Sequence, residues 1–148
     1  MLKQEKFDAK IVQNPMTRRP NWQESQSPYG YPLAEVASAI IKEVRRGKDK
    51  EAAFWAHQLA ISGEQSQRFL WDILLTCAIE DVGLANPLAL QIVSYAEKTF
   101  FRFEPGYEAR HLVVCYAAMY LARSEKSRLI DDTLVCMLKN LRDGNLHP

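Results

Sequence analysis

The run Ile79-Glu80-Asp81-Val82-Gly83-Leu84-Ala85-Asn86-Pro87-Leu88-Ala89-Leu90 constrains the fold most, because it must close one apolar helix and open another within a few residues. Gly83 can take the left-handed conformation that ends a helix without a Cβ penalty, so the helix arriving from Leu70 is expected to stop at about Val82. Asn86 then suits an N-cap, its side-chain oxygen accepting an orphan N–H of the next turn. Pro87 fits the first helical position, where a missing N–H costs nothing. Such a corner is architectural, and nothing in it requires catalysis.

The stretches on either side have helical periodicity. Leu33, Val36, Ala37, Ile40, Ile41 and Val44 form an i, i+3, i+4, i+7 series ended by Gly47. Asp49 is read as the cap of a second helix through Ala52, Trp55, Ala56 and Leu59 that stops near Ser62-Gly63. A third runs from about Gln65 to Val82 with Phe69, Leu70, Ile73, Leu74 and Cys77 on one face. A fourth, beyond the corner, carries Ile92, Val93, Ala96 and Phe100. After the Pro105-Gly106 turn, the fifth is apolar nearly all round. Ala109, Leu112, Val113, Tyr116, Ala117, Tyr120 and Leu121 lie on one side and Val114, Cys115, Ala118, Met119 and Ala122 on the other, so it is either central or faces another chain. A polar joint, Arg123 to Ser127, leads to a sixth with Ile130, Thr133, Leu134, Met137, Leu138 and Leu141. No stretch alternates with period two. The expected fold is all-α: a single compact domain of about six helices over residues 33–148, with an extended arm over residues 1–32 marked by Pro15, Pro20, Pro28 and Pro32. The arm's Trp22, Tyr29 and Tyr31 suggest that parts of it lie down on the domain or on a neighbour.

A length of 148 residues and a formal net charge of +1 describe one ordinary globular domain, with no bulk charge to name a partner. Three widely spaced cysteines, Cys77, Cys115 and Cys136, fit reduced buried thiols in a cytoplasmic protein better than a disulfide framework. No window approaches the roughly 18–20 apolar residues of a membrane span.

Candidate chemistry is sparse. His111 and Cys115 share a helix face at i, i+4, but zinc wants about four such ligands and the other His and Cys residues stand at no ligand-like spacing, so no metal is expected. Glu80 and Asp81 are adjacent acids at a helix end, where the macrodipole disfavours negative charge by about 0.3–1 kcal/mol. Adjacent helix positions point about 100° apart, which makes a shared ligand or proton awkward. The reading preferred here is that one carboxylate bonds backbone N–H groups across the corner or pairs with an arginine from another helix. No G-x-x-x-x-G-K-[ST] run and no Rossmann-type fingerprint occur, so no nucleotide cofactor is expected. Lys42, Arg45, Arg46 and Lys48, with Lys50 and the arm's Arg18 and Arg19, form a basic set that can touch phosphates, interleaved with Glu43, Asp49 and Glu51. Any DNA binding is therefore expected to be weak. Trp55 and Trp71 are read as core anchors.

The corner resembles the "EDIGLADPxAL" signature in the C-terminal region of the RarA/MgsA family, clamp-loader-like AAA+ ATPases that include the Werner-helicase-interacting protein. Lys42 to Asp49 followed by Ala52-Ala53-Phe54-Trp55-Ala56 resembles that family's "K-x-[IV]-R-x-G-D…A-L-Y-W-A" segment. Trp71 to Ala78 lies where it carries an "L-x-x-I-A-S" helix, and Lys126-Ser127 is similar to its "P-K-S" element. The resemblance covers about Leu33 to Leu138, and its family positions are Trp55, Glu80, Asp81, Gly83, Asn86, Pro87, Lys126 and Ser127. It implies a collar-like helical oligomerisation region without the ATP-hydrolysing module, in a setting of DNA replication, recombination or repair. The implied partners are other copies of the chain, as a tetramer or dimer, and an AAA+ ATPase or replication proteins. The surplus apolar faces of the fifth and sixth helices point to self-association as well. Two other readings stand beside this one: a small enzyme using Glu80 and Asp81 or His111 and Cys115, and an adaptor of unrelated context that reuses the fold.

Overall fold

The structure, a computed structural model, describes residues 25–145. Among them six helices follow one another: α1 (Leu33–Arg45), α2 (Asp49–Ala60), α3 (Glu64–Cys77), α4 (Ala89–Arg102), α5 (Ala109–Arg123) and α6 (Leu129–Arg142). A π turn (Ala78–Val82) and a 3₁₀ turn (Gly83–Ala85) join α3 to α4. Strand pairing among the described residues is confined to one antiparallel bridge between Gln26 and Pro32.

The core is built on small residues at its centre and large ones at one end. α2 buries Ala52, Ala53, Ala56, Leu59 and Ala60, and α5 buries Val114, Ala117, Ala118, Leu121 and Ala122. These two short-side-chain faces let the backbones approach, and α2 against α5 is the most extensive helix pair. α1 closes this layer with Leu33, Val36, Ala37, Ile40 and Val44, the stripe its periodicity predicts. At the other end Trp71 of α3 meets Phe100 of α4 edge-on, ring centroids 5.5 Å apart, and neither ring touches solvent appreciably. An aromatic pair in this arrangement contributes about 0.5–1.5 kcal/mol beyond the area it buries.

Residues 25–32 form a loop pinned to α2, and the rest of the expected arm, with Trp22, Arg18 and Arg19, lies outside the described residues. The Ser25 carbonyl accepts the Leu33 N–H at the start of α1, and the buried Ser27 hydroxyl donates to Gln58 Oε1 at 3.1 Å. The Tyr31 ring packs edge-on against Phe54 and Trp55. Trp55 is thus a half-buried platform for the loop, whereas Trp71 is a core anchor.

Several local expectations are corrected. Asp49 is the first residue of α2 and Lys48 precedes it; the Asp49 carboxylate accepts the neighbouring Lys50 N–H and lies 3.8 Å from Arg123 Nε rather than capping the helix. α5 turns its smaller residues inward. Leu112 and Tyr116, on one of the two apolar sides between which the sequence does not choose, are 71% and 57% exposed, because a helix packed against an alanine face has no room for them. Cys136 is exposed, while Cys77 is buried and Cys115 half-buried. α6 has no buried residue, and its main contacts are with the π and 3₁₀ turns.

Candidate functional site

Of the residues singled out by sequence, Arg45, Asp81, Gly83, Asn86, Lys126 and Ser127 meet at one place, where the ends of α1, α3 and α5 and the start of α6 come together, whereas Trp55, Lys42 and the His111–Cys115 pair lie elsewhere. The last turn of α3 widens into the π turn, and this re-aims Asp81 inward. Its side chain is 2% exposed, and Oδ1 accepts a hydrogen bond from Arg45 Nε of α1 at 2.6 Å and one from Arg128 Nη1, just before α6, at 3.3 Å. Arg128 also pairs with Asp131. The conflict between an acid and a helix C-terminus is resolved by two guanidiniums, as the arginine-pairing reading expects. The Asp81 carbonyl accepts the Ser127 N–H at 2.8 Å, so one residue holds α1, the corner and the start of α6 by side chain and backbone together.

Gly83 has a different reason for being glycine from the one expected. Its φ of 51° is positive, but its ψ of −135° lies outside the left-handed helical well, in the mirror image of the β region that only glycine enters readily. A Cβ here would stand 2.9 Å from the Ser127 carbonyl oxygen. The corner therefore needs glycine for its backbone angles and for the approach of the joint before α6. Asn86 does not cap α4, which begins at Ala89 after a turn containing the exposed Pro87. Its Nδ2 instead donates to Tyr120 Oη at 2.8 Å and Ser124 Oγ at 3.1 Å, tying the corner to the end of α5. Lys126 turns back on that same end and donates to the carbonyls of Ala122 and Ser124, serving as its C-terminal cation. Burial lowers the Lys126 pKa, opposed by the attraction of Asp81.

This arrangement is a joint. Cys77 sits beneath it, its thiol pKa raised first by burial and then by the Asp81 charge, and a thiol so held is protonated and unreactive. Burial also raises the Glu80 carboxyl, with Asp131 and Asp81 adding to the effect. The other candidate pair is not brought together: His111 Nδ1 lies 3.1 Å from His57 Nε2 of α2 rather than engaging Cys115. Among the described residues no three His, Cys, Asp or Glu side chains are grouped to hold a metal ion. No helix among them is long and apolar enough to cross a membrane.

The basic set is largely engaged within the chain. Arg45 holds Asp81; Arg46 pairs with Glu43 at 2.8 Å, and Lys48 reaches the same Glu43 at 4.0 Å. Lys42 is exposed. Periodicity gave no signal for the His57–His111 pair, nor for Arg110, which is buried with its guanidinium 4.1 Å from the Phe100 ring centroid. A charge at an apolar helix position is the trace that Arg110 leaves in the sequence.

Motifs between 34 and 47 residues apart converging on one joint are what a shared fold would produce. The family model described as "MgsA AAA+ ATPase C terminal" matches residues 47–148. The chain belongs to this family. α1, including Arg45, precedes the matched residues and still supplies the shortest contact to Asp81. An AAA domain-containing protein of Mycobacterium tuberculosis is 32% identical over 111 residues, covering 74% of this chain and 24% of that protein. The chain thus spans about a quarter of the length of that relative. The family region concerned is the C-terminal part of an AAA+ ATPase, which agrees with the absence of a phosphate-binding loop from these 148 residues.

Proposed function

We propose that the chain is a non-catalytic, self-associating helical module that serves an AAA+ ATPase in DNA replication, recombination or repair. The carrying observation is the uncovered apolar surface. α6 buries none of its residues while exposing Leu134, Val135, Met137 and Leu141, and α5 exposes Leu112 and Tyr116 on the side away from the core. Apolar faces on two helices, placed outside a core that is already filled, favour assembly over catalysis. The joint at Asp81, Gly83 and Ser127 supports the same reading, since its bonds fix how α6 leaves the domain. DNA contact, in this reading, is weak and falls to Lys42, Arg46 and Lys48, because Arg45 is committed to Asp81.

Light scattering across micromolar concentrations tests the assembly, with a mass above one chain expected. Capture of the tagged chain from its native host tests the partner: an AAA+ subunit or replication protein is expected among the proteins retained. A single-chain mass at every concentration would remove the self-association reading.

A further inference from the structure

We propose that His57 of α2 and His111 of α5 form a two-histidine site for a first-row transition-metal cation, Cu²⁺, Ni²⁺ or Zn²⁺, which braces the central helix pair. His57 Nε2 and His111 Nδ1 face each other at 3.1 Å, and the rings are tilted 54° to one another with centroids 4.8 Å apart. Two imidazole nitrogens that bind one such cation at about 2.0–2.1 Å stand about 2.8–3.4 Å apart, for bond angles between a right angle and the tetrahedral value. The facing nitrogens are therefore already at ligand-to-ligand spacing. A cation enters by a turn of the rings about their Cβ–Cγ bonds, with the helices left where they are.

The platform is rigid and the ligands are in the right state. α2 and α5 make the most extensive helix pair of the domain and close on alanine faces, so the backbones that carry the two rings are fixed against each other. Both rings are only half-buried, which leaves a side open to solvent and ions. Burial, and then His111, lower the His57 pKa, so this ring is neutral at neutral pH, as a metal ligand must be. At rest, one of the two facing nitrogens carries the hydrogen of their bond. Loading moves that hydrogen, through solvent, to the other nitrogen of the same ring, and both facing lone pairs go to the cation. Two neutral rings thus release no net proton. Cys115, one turn beyond His111, does not join them, and no third His, Cys, Asp or Glu side chain does so among the described residues. The chain offers two nitrogens and water takes the remaining positions, which makes an exchangeable site. Imidazole without oxygen ligands suits Cu²⁺, Ni²⁺ and Zn²⁺ and not Mg²⁺ or Ca²⁺. The two histidines are 54 residues apart, so only the packed α2–α5 pair presents both, and binding must stabilise the fold.

The test uses the full chain without an affinity tag and with His147→Gln, because His147 is the one other histidine in the sequence. Thermal scans by circular dichroism at one fixed chain concentration are expected to show Tm rising with Ni²⁺ or Zn²⁺ and unmoved by Mg²⁺. The rise is about 3–6 °C when the free cation stands tenfold above its Kd. His57→Gln and His111→Gln are each expected to lose the rise, and Cys115→Ala to keep it. Electron paramagnetic resonance of the parent with one equivalent of Cu²⁺ reads the site without any substitution at the pair, and hyperfine structure from two imidazole nitrogens is expected. One nitrogen or none would overturn the proposal. So would a rise that survives both His57→Gln and His111→Gln, which places the cation elsewhere, or no rise with any of these cations, which leaves the pair a hydrogen bond only. A rise seen only together with a higher mass in light scattering would mean a cation shared between chains, and would overturn it as well.

Discussion

Replacing Gly83 by alanine tests the idea that the corner requires glycine for two separable reasons. The first is conformational: the mirror-β angles at Gly83 cost a side-chain-bearing residue about 1–3 kcal/mol. The second is steric: the added Cβ meets the Ser127 carbonyl oxygen at 2.9 Å, and that backbone is itself held by the Ser127 N–H bond to Asp81, so it cannot withdraw cheaply. Overpacking of this kind adds about 1–3 kcal/mol. Gly63 is the control, because it shares the glycine-only backbone (φ 99°, ψ 168°) but a Cβ there has nothing within 4 Å. For a domain of this size one kcal/mol moves Tm by about 2–4 °C. Gly83→Ala is therefore expected to melt about 2–12 °C below Gly63→Ala in thermal scans at one fixed chain concentration. Gly83→Val is expected to be worse than either. Equal melting temperatures for the two alanine variants would refute the close-approach argument and leave only the backbone angles.

Arg45→Glu is expected to destabilise by about 3 kcal/mol or more in denaturant titrations, because it puts a carboxylate against the buried Asp81, whereas Arg46→Glu, at an exposed ion pair, stays within about 0.5 kcal/mol. The His57–His111 hydrogen bond needs at least one neutral ring; burial, and then His111, lower the His57 pKa. A base whose folded pKa lies below its unfolded value of 6.5 stabilises the fold above that pH and loses the contribution as pH falls through 6.5 towards the folded value. The urea midpoint should thus drop between pH 7.5 and 5.5, and His57→Gln should flatten that drop; a steeper drop in the variant would contradict the assignment. The 148-residue chain is expected neither to bind nor to hydrolyse ATP, since its sequence has no glycine-rich run backed by lysine. Turnover that survives repurification would end the proposed role.

The helices were legible wherever one face alone had to be buried. α1 shows a single stripe, and α3 and α4 likewise bury the faces their spacing predicts. α5 defeated the same reasoning because it is apolar all round, and periodicity cannot say which side faces inward. The deciding factor was its neighbour: α2 offers alanines, so α5 answers with Val114, Ala117 and Ala118 and leaves Leu112 and Tyr116 outside. Asn86 was misread for a related reason. Asn next to Pro has strong local grounds for capping, but Tyr120 and Ser124, more than 30 residues away, offered its amide a tertiary partner. Local propensity is a weak prior when such a partner is within reach.

The joint was legible in outline, because a carboxylate at a helix end must find positive charge, yet the sequence does not choose among candidate arginines. What chose them was the π turn. By widening the last turn of α3 it turns Asp81 under the corner, where Arg45 reaches it from one side and Arg128 from the other. The consequence reaches beyond stability. Arg128 precedes α6, Ser127 is bonded to the Asp81 carbonyl, and Gly83 leaves just enough room for that backbone to pass. An interior α6 would be held by its own apolar face; this one is held at its first turn, by charge and backbone, and its apolar face is left open along its length. On the self-association proposed above, rigid attachment at one end and an uncovered stripe beyond it would let α6 present itself to a second chain. Loosening the joint should therefore weaken assembly before it unfolds the core, and Arg128→Ala, which leaves the Arg45–Asp81 bond intact, separates the two effects. Its sedimentation profile should shift towards single chains at concentrations where the parent remains assembled, while Tm of the core changes little. An unchanged association constant in this variant would mean that α6 finds its partner without being aimed.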